Sequence, residues 1–242
     1  MPAAQYQPSN KEKDFLQYHT TLRNELNNAN WHFAVWKCLH KLDKDYSREM
    51  DIAPAFFALT MRAHLVETTM RLCRCLDRRN DTVDIYSFLD YAEAHREMFY
   101  KRALRRRIEG EYAERMVERT LQRHTSMTPT RISKLKERIA KLPIENLRRQ
   151  RNKAFAHIAR EVTLEGIDVF EKYPVKVGEI ETIISTLDEV LNELSNAYNT
   201  CTCAKELYGS SLEHSIQEIL DSIRFKRQAS CRTSGRLALH PS

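Results

Sequence analysis

The sequence predicts an all-α protein, and three observations carry that prediction. Gly and Pro are scarce, at 5 and 7 among 242 residues, whereas all-β folds need many turns and turns consume these residue types. Apolar residues recur at helical spacing through long stretches. No segment shows the strict apolar–polar alternation of a half-buried strand. With 42% hydrophobic and 30% charged residues, the composition suits amphipathic helices around one sizeable core.

The elements follow in order. Ser9 and Glu12 fit a capping box, in which each side chain satisfies an orphan amide. The first helix starts there and carries Phe15, Leu22, Leu26, Trp31, Phe33, Val35, Trp36, Leu39 and Leu42 to about Asp43. Pro54 opens a second helix, because its missing N–H would be unpaired at that position. Its run from Ala55 to Val66 is apolar on most sides and predicts the most buried helix, continuing to about Asp77. A shorter helix spans Ile85 to Phe99. The stretch from Lys101 to His124 mixes Arg and Glu at helical spacing and predicts a solvated helix rather than an RNA site. Thr128 caps a further helix with Pro129 at its first position, running to Lys141. Pro143 opens a helix from Ile144 to about Ile158. After an irregular stretch around Gly166 and Pro174, a long helix begins near Gly178 and ends near Tyr208, with an apolar stripe at Ile180, Ile183, Ile184, Leu187, Val190, Leu191 and Leu194. A last helix covers Ser211 to Phe225. From Lys226 onward the chain is basic, small and polar, and reads as a disordered tail.

The formal net charge is +6. An acidic partner, RNA first among them, fits that balance, although charge alone decides little. The N-terminal stretch lacks the apolar core of a secretory signal, and no apolar run is long enough to span a membrane. The expectation is a cytoplasmic protein whose six cysteines are reduced thiols. Cys73 and Cys75 lie two apart in a helical pattern, so their side chains diverge by ~200°, and no CxxC pair or spaced His pair joins them. No metal site and no cofactor are expected. Trp31 and Trp36 read as core.

One pattern carries chemistry: an Arg, a polar residue, and a His a few positions on. By count it means nothing, because 25 Arg and 9 His in 242 residues yield roughly three such matches by chance over three spacings. Arg119 with His124 is one of them. Context separates the other. After Arg151 comes Asn152, and His157 follows a small apolar step, Ala154-Phe155-Ala156.

The stretch Leu-Arg-Arg-Gln-Arg-Asn-Lys-Ala-Phe-Ala-His-Ile (147–158) is similar to the Arg-(Asn/Asp)-x-x-x-x-His motif of the HEPN superfamily. The segment from Phe57 to Arg78, with Leu-x-Glu-x-x-x-Arg-Leu-x-Arg-x-Leu-Asp-Arg, resembles the second helix of its abortive-infection, AbiU-like branch. Asn30-Trp31 in the first helix and the late apolar helix agree. The resemblance spans about residues 10 to 208, with the charged stretch of about 101–141 as a helical insertion, 209–225 as a C-terminal helix and 226–242 as the tail. It implies an up-and-down four-helix bundle core with additional helices, commonly dimeric. It also implies a metal-independent endoribonuclease, of a kind often found as a toxin or phage-defence effector. Carried over by position, Arg151, Asn152 and His157 would be the active residues. Ala159 stands where HEPN toxins controlled by nucleotidyltransferase antitoxins carry Tyr, which puts that regulation in doubt. An antitoxin, protein or RNA, is a candidate partner that nothing in the sequence fixes.

The chemistry is sound on its own terms. RNA brings its own nucleophile, the 2′-OH. A His titrating near neutrality moves the proton, an Arg stabilises charge on the phosphorane, and Asn152 orients either group. Geometry adds a condition. Residues six apart on a straight helix differ by ~120° around the axis and ~9 Å along it, so either the helix breaks at the motif or two copies face each other across a homodimer. In the second case Arg148, Arg149 and Lys153 add phosphate contacts in one basic cleft. Arg74 pairs with Glu67 and Asp77 in a structural role, while Arg71 either joins them or lines the RNA cleft. The competing reading of the whole chain is a non-catalytic helical module that binds RNA or a protein.

Overall fold

Ser9 opens the first helix as the capping box predicts. Its amide donates to Glu12 Oε2 at 3.0 Å and its Oγ accepts from the Glu12 amide. The computed structural model describes residues 6–78, 81–109, 112, 114–155, 163–164, 166–202 and 209–237. They form ten α-helices: α1 (Asn10–Met50), α2 (Pro54–Leu76), α3 (Ile85–Ala94), α4 (Lys101–Ile108), α5 (Glu114–Arg123), α6 (Pro129–Ala140), α7 (Glu145–Gln150), α8 (Val169–Lys172), α9 (Val177–Asn199) and α10 (Gly209–Leu237). A 3₁₀ turn, Arg96–Phe99, follows α3, and a π-helical segment, Arg151–Phe155, follows α7. No strand occurs among the described residues, so the fold is all-α. None of these helices is long and apolar enough to cross a membrane.

By contacts the chain divides into two units. One comprises Met1–Ala29 and Thr69–Lys205, the other Asn30–Thr68 and Glu206–Ser242. In the first unit Phe15 is the hub. Its ring lies 5.1 Å from Phe88, 5.4 Å from Phe99 in an edge contact and 4.8 Å from Tyr198. Around it, Leu22, Leu89, Ile132, Leu135, Ile183 and Leu187 are all buried, each such side chain contributing roughly 1.5–3 kcal/mol by leaving water. Phe15 near the start of α1 meets Tyr198 near the end of α9, and Arg23 pairs with Asp188. These two helices therefore run antiparallel. So do α6 and α9, since Arg131 reaches Glu193 while Arg138 reaches Glu189.

The second unit holds a small core of Leu39, Leu42, Met50 and Leu220, with Phe57, Met61, Ile216 and Ile223 packed on it. Polar ties fasten α10 there. Lys41 reaches Glu213 at 2.6 Å, Tyr46 donates to Asp221 at 2.9 Å and Arg224 pairs with Glu49 at 3.1 Å.

Several expectations change. The helix starts hold best: Pro129 begins α6 and Thr128 accepts from the Arg131 amide at 3.2 Å. The ends shift. α1 runs past Asp43 to Met50, with a kink at Tyr46. α9 stops at Asn199 rather than near Tyr208, where Thr200 takes a left-handed backbone (φ 56°) before the poor helix formers of residues 201–203. α10 continues beyond Phe225 to Leu237. Residues 226–229 are good or neutral helix formers, and Arg227 donates to the Arg48 carbonyl at 3.0 Å.

The first half of α2 is not the most buried helix. Phe57 and Met61 pack on the unit's core, but Phe56 and Leu59, on the other side, are 63% and 65% exposed. Trp31 is likewise exposed at 43% rather than in the core. The charged stretch is no single solvated helix either. It forms α4 and α5, and Arg107 within it is buried. Arg107 pairs with Glu12 at 2.8 Å, donates to the Met98 carbonyl at 2.9 Å and to the Tyr198 carbonyl, and lies 4.0 Å over the Tyr198 ring. A buried guanidinium persists because that partner set replaces most of its hydration, Nε alone of its nitrogens lacking a hydrogen bond among the described residues.

Candidate active site

The site begins where α2 ends. A helix C-terminus leaves carbonyls without intrahelical partners and carries a partial negative charge. At this end Leu76 offers its carbonyl and Asp77 adds a full charge. Two guanidiniums from a segment far along the chain answer them. Arg148, on α7, donates Nη2 to the Leu76 carbonyl at 2.7 Å and brings Nε to 3.8 Å from Asp77 Oδ1. Arg151 pairs directly with Asp77 Oδ2. The Arg151 side chain is mostly buried (14% exposed), as is Asp77 (16%), while Arg148 is more open at 31%. One turn before Asp77, burial pushes the Cys73 thiol up to about 11, against the opposing pull of the same two arginines.

Arg151 has a second anchor. Its Nε donates to Asn152 Oδ1 at 2.9 Å, so Asn152 orients the guanidinium, one of the two roles its position allows. The backbone changes here as well. α7 gives way at Arg151 to a π-helical segment, whose i→i+5 bonding widens the turn. Both ends of this segment are held on another side. Gln150, buried, donates to the Tyr173 carbonyl at 2.7 Å, and Phe155 packs on Phe170 at 5.7 Å. The wider turn lets Arg151 reach α2 while its neighbours keep those contacts. The regular helix thus breaks at the motif.

Tyr173 gathers the remaining cations. Arg149 lies 5.2 Å and Lys153 5.5 Å from its ring centre, and Arg149 also bonds Glu145 at 3.2 Å. Such ring contacts hold a basic side chain in place without cancelling its charge. The structure therefore brings Arg148, Arg149, Arg151, Asn152 and Lys153 together on one short stretch. Arg71 is engaged elsewhere, sharing Glu25 of α1 with Arg74 at 3.2 and 3.1 Å. That acid across from α2 is the partner of Arg74, where the sequence pointed to Glu67 and Asp77. His157 lies outside the described residues. Among the described residues no cluster of three or more His, Cys, Asp or Glu side chains is arranged to hold a metal.

The rival match, Arg119 with His124, resolves differently. His124 is buried, bonds the Phe99 carbonyl through Nε2 at 2.7 Å, and has its pKa lowered chiefly by burial. Arg119 is exposed. The pair meets no common point, so this His serves the packing of α5.

The family model described as AbiU2, of the HEPN group, matches residues 12–219. The chain belongs to the HEPN AbiU2 family. Comparison with curated proteins and with solved structures returned no match. The AbiU2 match encloses α2, Asp77 and the whole stretch from Arg148 to His157, and it extends past residue 208 into α10.

Two residues of this candidate site escape a reading of the sequence. Asp77 is visible there only as a helix-end acid in the Leu-Asp-Arg triplet, within reach of Arg74. Tyr173 has no local signal at all, since it follows a one-turn helix in an irregular stretch.

Proposed function

We propose that this chain is a metal-independent endoribonuclease that works as a two-fold dimer and serves as an abortive-infection effector. The observation that carries the reading is the Arg151 guanidinium, held by Asp77 and Asn152 beside Arg148 at the point where the helix opens into a π turn, in a member of the HEPN AbiU2 family.

The chemistry runs through groups of the chain and of the RNA. The 2′-OH of one nucleotide attacks the adjacent phosphorus, and the P–O5′ bond breaks. The products are a 2′,3′-cyclic phosphate and a 5′-hydroxyl. His157 accepts the 2′-OH proton and returns one to the leaving oxygen. Arg151, preorganised by its two anchors, stabilises the extra negative charge on the phosphorane. Arg148, Arg149 and Lys153 hold flanking phosphates, and Arg71 is a further candidate for that role. In the dimer, Arg151 of one protomer faces His157 of its partner, so that both motifs line one basic cleft.

Incubating the purified protein with RNA in excess EDTA tests the reading. Cleavage leaving 2′,3′-cyclic phosphate ends is the expected result, and Arg151→Ala and His157→Ala should both abolish it. Binding without cleavage would identify a non-catalytic RNA-binding module instead.

A further inference from the structure

Beside the candidate site, α3, α7 and α9 enclose an open cavity of about 650 Å³ lined by Arg78, Tyr86, Asn146, Arg148 and Glu179, with residues 142–144 as an apolar wall. Its size is within the range of small-molecule pockets. Arg148 connects it to the motif, since the Asp77 that Arg148 approaches also holds Arg151. Arg148 is thus common to the cavity and to the cluster proposed to hold the RNA phosphates.

Its chemistry is that of a base pocket. Tyr86 presents an aromatic ring, and the Arg78 guanidinium lies 5.6 Å from the ring centre. Single-stranded RNA is recognised by stacking of unpaired bases on such rings and on guanidinium planes. The polar lining offers both donors and acceptors, the guanidiniums of Arg78 and Arg148 beside Asn146 and Glu179. Glu179 gives Oε2 to the Lys176 amide at 2.9 Å and Asn146 gives Nδ2 to the Pro174 carbonyl at 2.9 Å. Oε1 of Glu179 and Oδ1 of Asn146 remain as acceptors on the cavity lining. Glu145, also on the wall, is paired with Arg149. Guanine meets that mixed lining best, because its Watson–Crick edge carries N1–H and the N2 amine for the acceptors and O6 beside them for a guanidinium. Uracil offers one N–H between two carbonyls.

We propose that this cavity is a nucleobase subsite that takes a guanine flanking the scissile phosphate. The proposal rests on the reading of the Arg151 cluster as an RNA-phosphate site. It does not depend on whether cleavage follows.

Calorimetric titration of the full chain with GMP, UMP and inorganic phosphate tests it. GMP should bind at least tenfold tighter than either of the others. Tyr86→Ala and Glu179→Gln should each weaken GMP fivefold or more, while Tyr86→Phe retains binding. Gln still closes the capping box at the start of α9, so Glu179→Gln reports on the base edge even if Tyr86→Ala fails to fold. GMP binding no tighter than UMP or phosphate, or undiminished in Glu179→Gln, overturns the subsite. GMP binding in a protein that leaves RNA intact upholds the subsite and removes the nuclease reading instead. Cleavage without any preference for GMP does the reverse.

Discussion

Asp77, at the end of α2, forms an ion pair with Arg151, the first residue of the π-helical segment, and the same carboxylate is 3.8 Å from Arg148. One acid thereby sets the position of two cations of the candidate site. Asp77→Asn keeps the shape and removes the charge, so Arg151 loses the charged one of its two anchors. Cleavage should fall about tenfold or more, with kcat affected more than KM, because a misaligned guanidinium loses transition-state contacts first. Arg151→Ala should cost on the order of 100-fold or more, the scale for losing a preorganised charge stabiliser. An Asp77→Asn protein as fast as wild type would show that the pair is only structural.

The dimeric arrangement makes a prediction that a single-chain site does not. Arg151→Ala and His157→Ala proteins, each inactive alone, should regain part of the wild-type rate when their subunits are exchanged. Each mixed dimer then contains one composite site with both residues intact. Absence of recovery in a preparation shown by mass spectrometry to contain mixed dimers would place both residues of the site in the same chain.

Arg107 should matter for stability rather than for cleavage. Its removal takes the donor from Glu12 Oε1 and from the carbonyls of Met98 and Tyr198 in a buried position. Breaking a buried pair from one side typically costs about 3–5 kcal/mol. Urea unfolding of Arg107→Met should therefore show a large drop in midpoint, whereas Arg119→Ala, at an exposed position, should leave it unchanged. A wild-type midpoint for Arg107→Met would refute this account of the buried ion pair.

His124 makes the fold sensitive to acid. Its Nε2 is 2.7 Å from the Phe99 carbonyl and must donate, while Nδ1 has no hydrogen-bond partner among the described residues. Burial holds its pKa below the usual His range. His19 and His64 are lowered by the same cause. The unfolded chain therefore binds more protons than the folded one just below pH 6.5. The stabilisation is complete above that value and is lost as pH falls towards the depressed folded pKa. Thermal unfolding should show Tm falling between pH 7 and pH 5.5, by about 2–4 °C for each 1 kcal/mol lost. His124→Gln, which keeps a donor for Phe99, should show a shallower fall. A flat wild-type profile would contradict the argument.

Local features could be read from the chain alone. Ser9 with Glu12 and Thr128 with Pro129 mark helix starts because caps act over three or four residues. The stripe from Ile180 to Leu194 predicts a buried helix face because its period is that of the helix, and all seven residues are buried. Arg151 followed by Asn152 was legible as a candidate pair only through the HEPN-like motif around it, and the two are bonded. Which distant faces meet is set by folding, not by neighbours in the chain. Nothing near Arg151 in the chain names Asp77 as its partner. Nothing near Arg107 separates it from the exposed arginines around it until Glu12 and Tyr198 close over it. The apolar run of α2 shows the same limit from the other side. Phe56 and Phe57 are alike in type and adjacent, yet one is exposed and the other packed. Hydrophobicity states a preference for burial, but whether a side chain is buried, or a charge paired, depends on the surface that folding brings against it.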